Sequence, residues 1–193
     1  MLSNKLSNYH IILASASPRR RQFLNELNLI FEIQLKDIDE SYPLHLKGAE
    51  IADYLAVLKA SAFQNELKNN DLLITADTIV WLDGKSLAKS SNKEEATKML
   101  EELSGKTHEV ISACCITTKK FQTVFHEITK VKFKELSTDE IEFYVSNFQP
   151  FDKAGSYGIQ EWIGYIGIEK IEGSFFNVMG FPIYKFYKTL SEL

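Results

Sequence analysis

Short apolar runs of strand type alternate along this chain with segments that open as helices, and that alternation restricts the fold more than any other feature. His10 to Ala14 is a strand-type run that stops at Ser15-Ala16-Ser17-Pro18. Pro18 fits the first turn of a helix predicted to reach about Leu27, because its missing N–H needs no partner there. Phe31 to Leu35 is a second strand candidate. Between Gly48 and Lys68, Ile51, Leu55, Leu58 and Ala62 step by 4, 3 and 4 residues, which is one face of a helix. Leu72 to Thr75 and Ile79 to Leu82 read as two strands, with a hairpin-type turn at Asp83-Gly84. Ser91 with Glu94 has capping-box spacing ahead of Ala96, Met99, Leu100 and Leu103. Long β-rich stretches follow over Glu109 to Thr118 and Thr123 to Leu136, and then a second capping box, Ser137 with Glu140, leads a helix through Phe148. Tyr157 to Gln160, Ile166 to Ile171 and Phe175 to Val178 are further strand candidates, and Pro182 opens a last helix. The reading is α/β, with a mixed, strongly twisted sheet flanked by helices.

No repeat, low-complexity tract or linker divides the 193 residues, which suit a single domain over 1–193 with two lobes around one cleft. No apolar run approaches the roughly 20 residues that span a bilayer, and the basic stretch of a secretory signal is missing, so the expected setting is cytoplasmic, away from membranes. The 26 acidic residues outnumber the 22 basic ones, which disfavours nucleic-acid binding. Cys114 and Cys115 are adjacent in an apolar run and would point to opposite faces of a strand, so both are read as reduced core residues. His10, His45, His108 and His126 show neither metal-ligand nor triad spacing.

Four segments carry candidate chemistry. Ser15, Ser17, Arg19 and Arg20 lie between a strand and a helix N-terminus, where free N–H groups, hydroxyls and guanidinium forks favour a phosphate; the plainer alternative is an N-cap serine followed by solvated arginines. Asp77 and Thr78, in Ala76-Asp77-Thr78, sit where an apolar strand is expected to end, either at a ligand crevice or in a turn that stops the strand. Asp37-Ile38-Asp39-Glu40 is able to hold a hard cation or to be a solvated acidic loop. Asp152 to Gln160 contains two glycines and a serine that permit close backbone approach, flanked by Lys153 and Gln160, or else is a glycine-rich turn. Lys59 extends the apolar face of its helix, and Lys89 precedes the Ser91 capping box. Neither a P-loop nor a G-x-S-x-G elbow occurs.

Five blocks occur in order: Leu13 to Arg20, Ala76-Asp77-Thr78, Leu103-Ser104-Gly105-Lys106-Thr107-His108, Asp152 to Gln160, and Val178-Met179-Gly180-Phe181-Pro182. Together they resemble the Maf family of nucleoside triphosphate pyrophosphatases, over about Ile11 to Tyr184. The resemblance implies an inosine-triphosphate-pyrophosphatase-like (Maf) fold with a central cleft, and hydrolysis of a nucleoside triphosphate between the α and β phosphates. It implies a divalent cation, Mg²⁺ or Mn²⁺, held by Glu40 and Asp77, and it admits a homodimer. Asp77, Glu40 and Lys89 match the family's catalytic positions. Ser15, Ser17, Arg19, Arg20, Lys59, Thr78, Lys153 and Gln160 are the expected substrate contacts. Arg19, Thr78 and Gln160 match the branch that acts on dTTP and UTP, modified pyrimidine nucleotides included. The family usually has proline after the lysine, where this chain has Ser90. The competing reading is a nucleotide-binding regulator of septum formation in cell division, with little turnover.

Overall fold

A computed structural model describes residues 2–192. The elements in chain order are α1 (Leu2–Lys5), β1 (His10–Leu13), α2 (Pro18–Glu26), β2 (Phe31–Ile33), α3 (Ala49–Ser61), β3 (Asp71–Leu82), β4 (Lys85–Leu87), α4 (Lys93–Leu103), β5 (Thr107–Thr117), β6 (Gln122–Phe133), α5 (Thr138–Phe148), α6 (Trp162–Gly167), β7 (Ile168–Glu172), α7 (Phe175–Val178) and α8 (Ile183–Glu192). They form the expected mixed sheet, seven strands in the order β2-β1-β3-β5-β6-β7 with β4 added to β3. β2, β1 and β3 are mutually parallel, and every other pairing is antiparallel.

β3 governs the arrangement. The two short strands expected at Leu72 to Thr75 and Ile79 to Leu82 are one continuous strand, so Asp77 and Thr78 lie at its middle rather than at its exit. The polar pair does not break the strand because β5 pairs with it continuously from Leu73 to Trp81. The opposite edge of β3 behaves differently. β1 pairs with it only through Ile74, and β4 only from Val80, so the stretch between is left without a strand neighbour.

Alternation along β3 then sorts its side chains. Leu73, Ile79 and Trp81 pack under α3 with Ile51, Leu55 and Ala56. Leu72, Ile74 and Ala76 face α2 and α8 through Phe23, Leu24, Phe181 and Phe186. Farther along that second face, Val80 and Leu82 join Leu100, Tyr144 and Ile163 from α4, α5 and α6. The adjacent cysteines divide as a strand requires, Cys114 into the α2/α8 cluster and Cys115 under α3, both free thiols.

Several boundaries differ from the sequence reading. α3 stops at Ser61; Phe63 and Leu67 remain buried, but the chain tightens into three-residue turns, with Phe63 N–H on the Ala60 carbonyl at 3.0 Å. α4 is capped by Asn92, not Ser91: Asn92 Oδ1 accepts from Glu95 N–H at 2.9 Å, and Glu95 reaches back to Ser91 N–H at 2.7 Å. The box is therefore shifted by one residue. The box at Ser137 and Glu140 forms as expected. Tyr157 to Gln160 is an irregular turn rather than a strand, and α6, which follows it, replaces the start of the strand expected from Ile166. Phe175 to Val178 is helical because the Ser174 hydroxyl caps Asn177 N–H at 3.3 Å. Among the described residues, no helix is long and apolar enough to cross a membrane.

His108, on β5, is buried between the rings of Phe133 and Tyr157 and meets the Tyr157 hydroxyl at 2.7 Å. Burial pushes its pKa down from 6.5 to about 4. In the window between those values the unfolded chain binds a proton that the folded chain does not, so stability is full above it and declines as pH falls through it. Urea unfolding should therefore show a loss approaching about 3 kcal/mol between pH 7 and pH 4 that His108→Gln lacks, the difference between the two proteins isolating this group from the carboxylates.

Candidate active site

The unpartnered stretch of β3 opens onto a cavity of about 400 Å³ and a second of about 360 Å³ that adjoins it. All eleven residues singled out above lie on their walls. Ser17, Arg19, Arg20, Glu40, Lys59 and Lys89 line both, Asp77, Thr78, Lys153 and Gln160 the first, and Ser15 the second. Of the acidic cluster, Glu40 alone reaches the cavities; Asp39 instead accepts from Ser41 N–H at 3.0 Å.

Because neighbouring strand residues point oppositely, Asp77 and Thr78 reach into the opening from different faces. On the Asp77 face stands α3, where Lys59 is 15% exposed. Its ammonium is 2.6 Å from Asp77 Oδ1 and 3.1 Å from Glu40 Oε1, so one cation gathers both carboxylates. Asp77 is 7% exposed, held in the sheet, whereas Glu40 arrives on an exposed loop.

On the Thr78 face the organiser is Arg20. Its Nη1 donates to Ser15 Oγ at 3.2 Å and to the Ala76 carbonyl at 2.9 Å, Nη2 to Thr78 Oγ1 at 3.1 Å, and Nε to the Gly180 carbonyl at 2.9 Å. Four of its five N–H groups are thus spent on protein acceptors. One of those acceptors, the Ala76 carbonyl, lies in the stretch of β3 that has no strand on this edge. Burial lowers the guanidinium pKa, and the nearby Asp77 charge is the main effect opposing that shift. Gly180 adopts φ +106°, a backbone state favouring glycine, and its carbonyl serves Thr78 as well as Arg20. Behind Thr78, the Ser112 hydroxyl lies 2.9 Å away and donates to the Asn177 carbonyl at 2.8 Å, tying α7 to the sheet.

Ser17 combines both readings of its segment: it caps α2, with Arg20 N–H 3.4 Å from its hydroxyl, and it lines both cavities. Arg19 donates through Nε to the Met179 carbonyl at 3.0 Å and approaches Asp152 at 3.7 Å. Asp152 also takes Lys153 at 2.6 Å, and Lys153 reaches Glu161 at 3.0 Å. Adjacent cations hold the Asp152 carboxyl below its ordinary range against the effect of burial. Lys89 has no ion-pair partner among the described residues and stands exposed at the mouth. Its loop is nonetheless anchored. Lys89 pairs through its backbone with Ala154, and the Ser156 hydroxyl donates to Ser90 at 2.9 Å, so the serine that stands where proline is usual supplies a hydrogen bond.

The matched family model, described as Maf-like protein, covers residues 10–193. The chain belongs to the Maf family. Similar relatives named dTTP/UTP pyrophosphatase come from Flavobacterium johnsoniae, 52% identical over 100% of both chains, and Christiangramia forsetii, 53% identical over 100% of this chain and 98% of that one. Among solved structures, the Staphylococcus aureus Ham1 protein is similar at a TM-score of 0.48 and 16% identity, over 64% of this chain and 71% of that one. Four of the five blocks converge here: Ser15 to Arg20, Asp77-Thr78, Asp152 to Gln160 and the Met179-Gly180 carbonyls meet at the open stretch of β3, whereas Leu103 to His108 lines neither cavity.

Reasoning from sequence missed Ser112, Asn177, Tyr144 and Glu161. Each acts through a backbone or side-chain bond to a distant segment, and no spacing along the chain marks it. The arginine network predicts that Arg20→Lys, which keeps the charge and loses the fork, will strand the Ala76 or Gly180 carbonyl. A stability loss of about 2–4 kcal/mol by urea unfolding is expected, with kcat/KM down tenfold or more; an unchanged midpoint would contradict the network.

Proposed function

We propose that the chain is a nucleoside triphosphate pyrophosphatase that hydrolyses dTTP and UTP to the monophosphate and pyrophosphate. The observation that carries this reading is the meeting, at one opening in the sheet, of paired carboxylates, several cations and a carboxamide. The activity named for full-length relatives at about half identity supports it. In this reading the triphosphate lies along the wall common to both cavities, beside Arg19, Lys59 and Lys89, with Lys153 facing it from the first cavity, and the base lies toward Gln160 and Thr78.

Before substrate arrives, the cations other than Lys89 are held by Asp77, Glu40, Asp152, Glu161 and main-chain carbonyls. An incoming polyanion exchanges those partners for phosphate oxygens, which keeps the charges from being stranded in a half-buried cleft. Asp77, fixed by the sheet and freed as Lys59 turns to the phosphates, accepts a proton from the attacking water. Glu40 and Asp77 fit a Mg²⁺ or Mn²⁺ ion by the chemistry of their donors. They are hard oxygen ligands from two separate elements, and the described residues hold no group of three or more metal-ligating side chains. Such a pair suits an ion that takes its remaining ligands from water and substrate phosphates. When bound, that ion draws negative charge from the phosphates.

Base choice follows from hydrogen-bond inventory. The imide edge of thymine or uracil offers an N–H donor beside a carbonyl acceptor, and one carboxamide meets both. A carboxylate at the same place suits the two donors of a guanine edge instead.

The test is initial-rate hydrolysis over a nucleotide panel, with released pyrophosphate converted to phosphate. dTTP and UTP are expected to lead, EDTA to abolish turnover, and Asp77→Asn to lower kcat by about 10²–10⁴-fold with the circular dichroism spectrum retained. Purine preference, full activity after chelation or a fully active Asp77→Asn would each overturn the matching part. Separately, Gln160→Glu should lower kcat/KM for dTTP and UTP about tenfold or more, because its carboxylate faces the pyrimidine carbonyl. An unchanged pyrimidine ranking would remove Gln160 as the base contact.

A further inference from the structure

The turn that carries Gln160 is fastened to the body of the protein by Tyr144 and Glu161. Tyr144 is fully buried on α5, stacked on Phe148 at 5.1 Å. Its hydroxyl is used twice: it accepts from the Gly158 N–H at 3.0 Å and donates to the Glu161 carboxylate. Burial and that carboxylate push the phenol pKa up, so the donor stays protonated. The other Glu161 oxygen takes Lys153, and the Glu161 N–H closes the turn on the Gly158 carbonyl at 2.9 Å. A Cβ on Gly158 would come within 2.7 Å of the Glu161 carboxyl carbon, so the carboxylate packs directly on the main chain of the turn. Both ends of the span from Gly158 to Glu161 are therefore held by one phenol, and Gln160 lies between them.

We propose that Tyr144 and Glu161 are positioning residues for base selection. Their phenol–carboxylate pair fixes the turn, so the Gln160 carboxamide presents its donor and acceptor in the order that a pyrimidine imide edge requires. This rests on the reading of Gln160 as the base contact. Glu161 has a second influence through Lys153, which faces the phosphates, and that influence acts on every nucleotide alike. The two are separable because only the first changes the ranking of bases.

The experiment measures kcat and KM for dTTP, UTP, CTP and GTP on wild type, Tyr144→Phe, Glu161→Leu and Glu161→Gln. Tyr144→Phe and Glu161→Leu are expected to raise KM for dTTP and UTP about tenfold with kcat within about threefold, narrowing their kcat/KM advantage over CTP and GTP. Glu161→Gln still offers the phenol an acceptor but gives up the ionic contact with Lys153. It should keep the wild-type ranking while kcat/KM falls for all four together. If Tyr144→Phe does not fold, Glu161→Leu decides, since that side chain is 20% exposed and lies outside the deepest core. A ranking unchanged in the soluble variants, with uniform loss of activity, would overturn the positioning role and leave Gln160 as base contact. A wild type without preference for dTTP and UTP would instead overturn the Gln160 reading, and this proposal with it.

Discussion

One edge of β3 lacks a strand partner between Ile74 and Val80, and the site is a consequence of that gap. A sheet interior normally leaves no room for a ligand, because each strand's edge is filled by its neighbour. Here β1 ends at Leu13, opposite Ile74, and antiparallel β4 ends at Leu87, opposite Val80, so the middle of β3 is covered by β5 on one side and open on the other. Asp77 is thereby placed in the rigid centre of the fold and still reaches a cavity. Arg20 supplies a hydrogen bond to the Ala76 carbonyl in the open stretch. The guanidinium substitutes for part of the missing strand, and in doing so it fixes Ser15, Thr78 and Gly180 around the opening.

The same gap explains how the charges are distributed. Because strand side chains alternate, a single opening in β3 receives groups from both faces of the sheet. The α3 side brings Lys59 to Asp77 and Glu40, and the α2 side brings the arginine pair and the glycine carbonyl. Farther out, Asp152 and Glu161 hold Arg19 and Lys153. The charges in the cleft are mostly paired within the protein, Lys89 apart. Burying an unpaired charge costs several kcal/mol, so a cleft built for a polyanion is stable alone only if its cations have protein partners that a ligand can displace.

What could be read along the chain was whatever depends on neighbours in sequence. The Pro18 helix start, the Ser137–Glu140 capping box and the Asp83-Gly84 turn formed where expected, because each is decided within four or five residues. Reading failed where a distant partner overrode local preference. Asp77-Thr78 looked like a strand end and is a strand centre, because β5 pairs straight through it. Phe175 to Val178 looked like a strand and is a short helix, held by a serine cap and by Asn177 bonds to Val110 and Thr129.

The sequence by itself determined the mixed α/β class and which residue types would meet: the eleven residues it singled out, eight within the motif blocks and Glu40, Lys59 and Lys89 outside them, all lie on the cavity walls. Only the tertiary structure decided which partner each one has. That Lys59 serves two carboxylates, that Arg20 is occupied by main-chain carbonyls, and that the turn carrying Gln160 hangs from a buried phenol are contacts between segments separated by 14 to 160 positions, apart from the local Ser15 bond. Local sequence encodes backbone preference and hydrophobic period, both short-ranged. The pairing of charges and hydrogen bonds is set by where strands stop against one another, which is a property of the packed sheet.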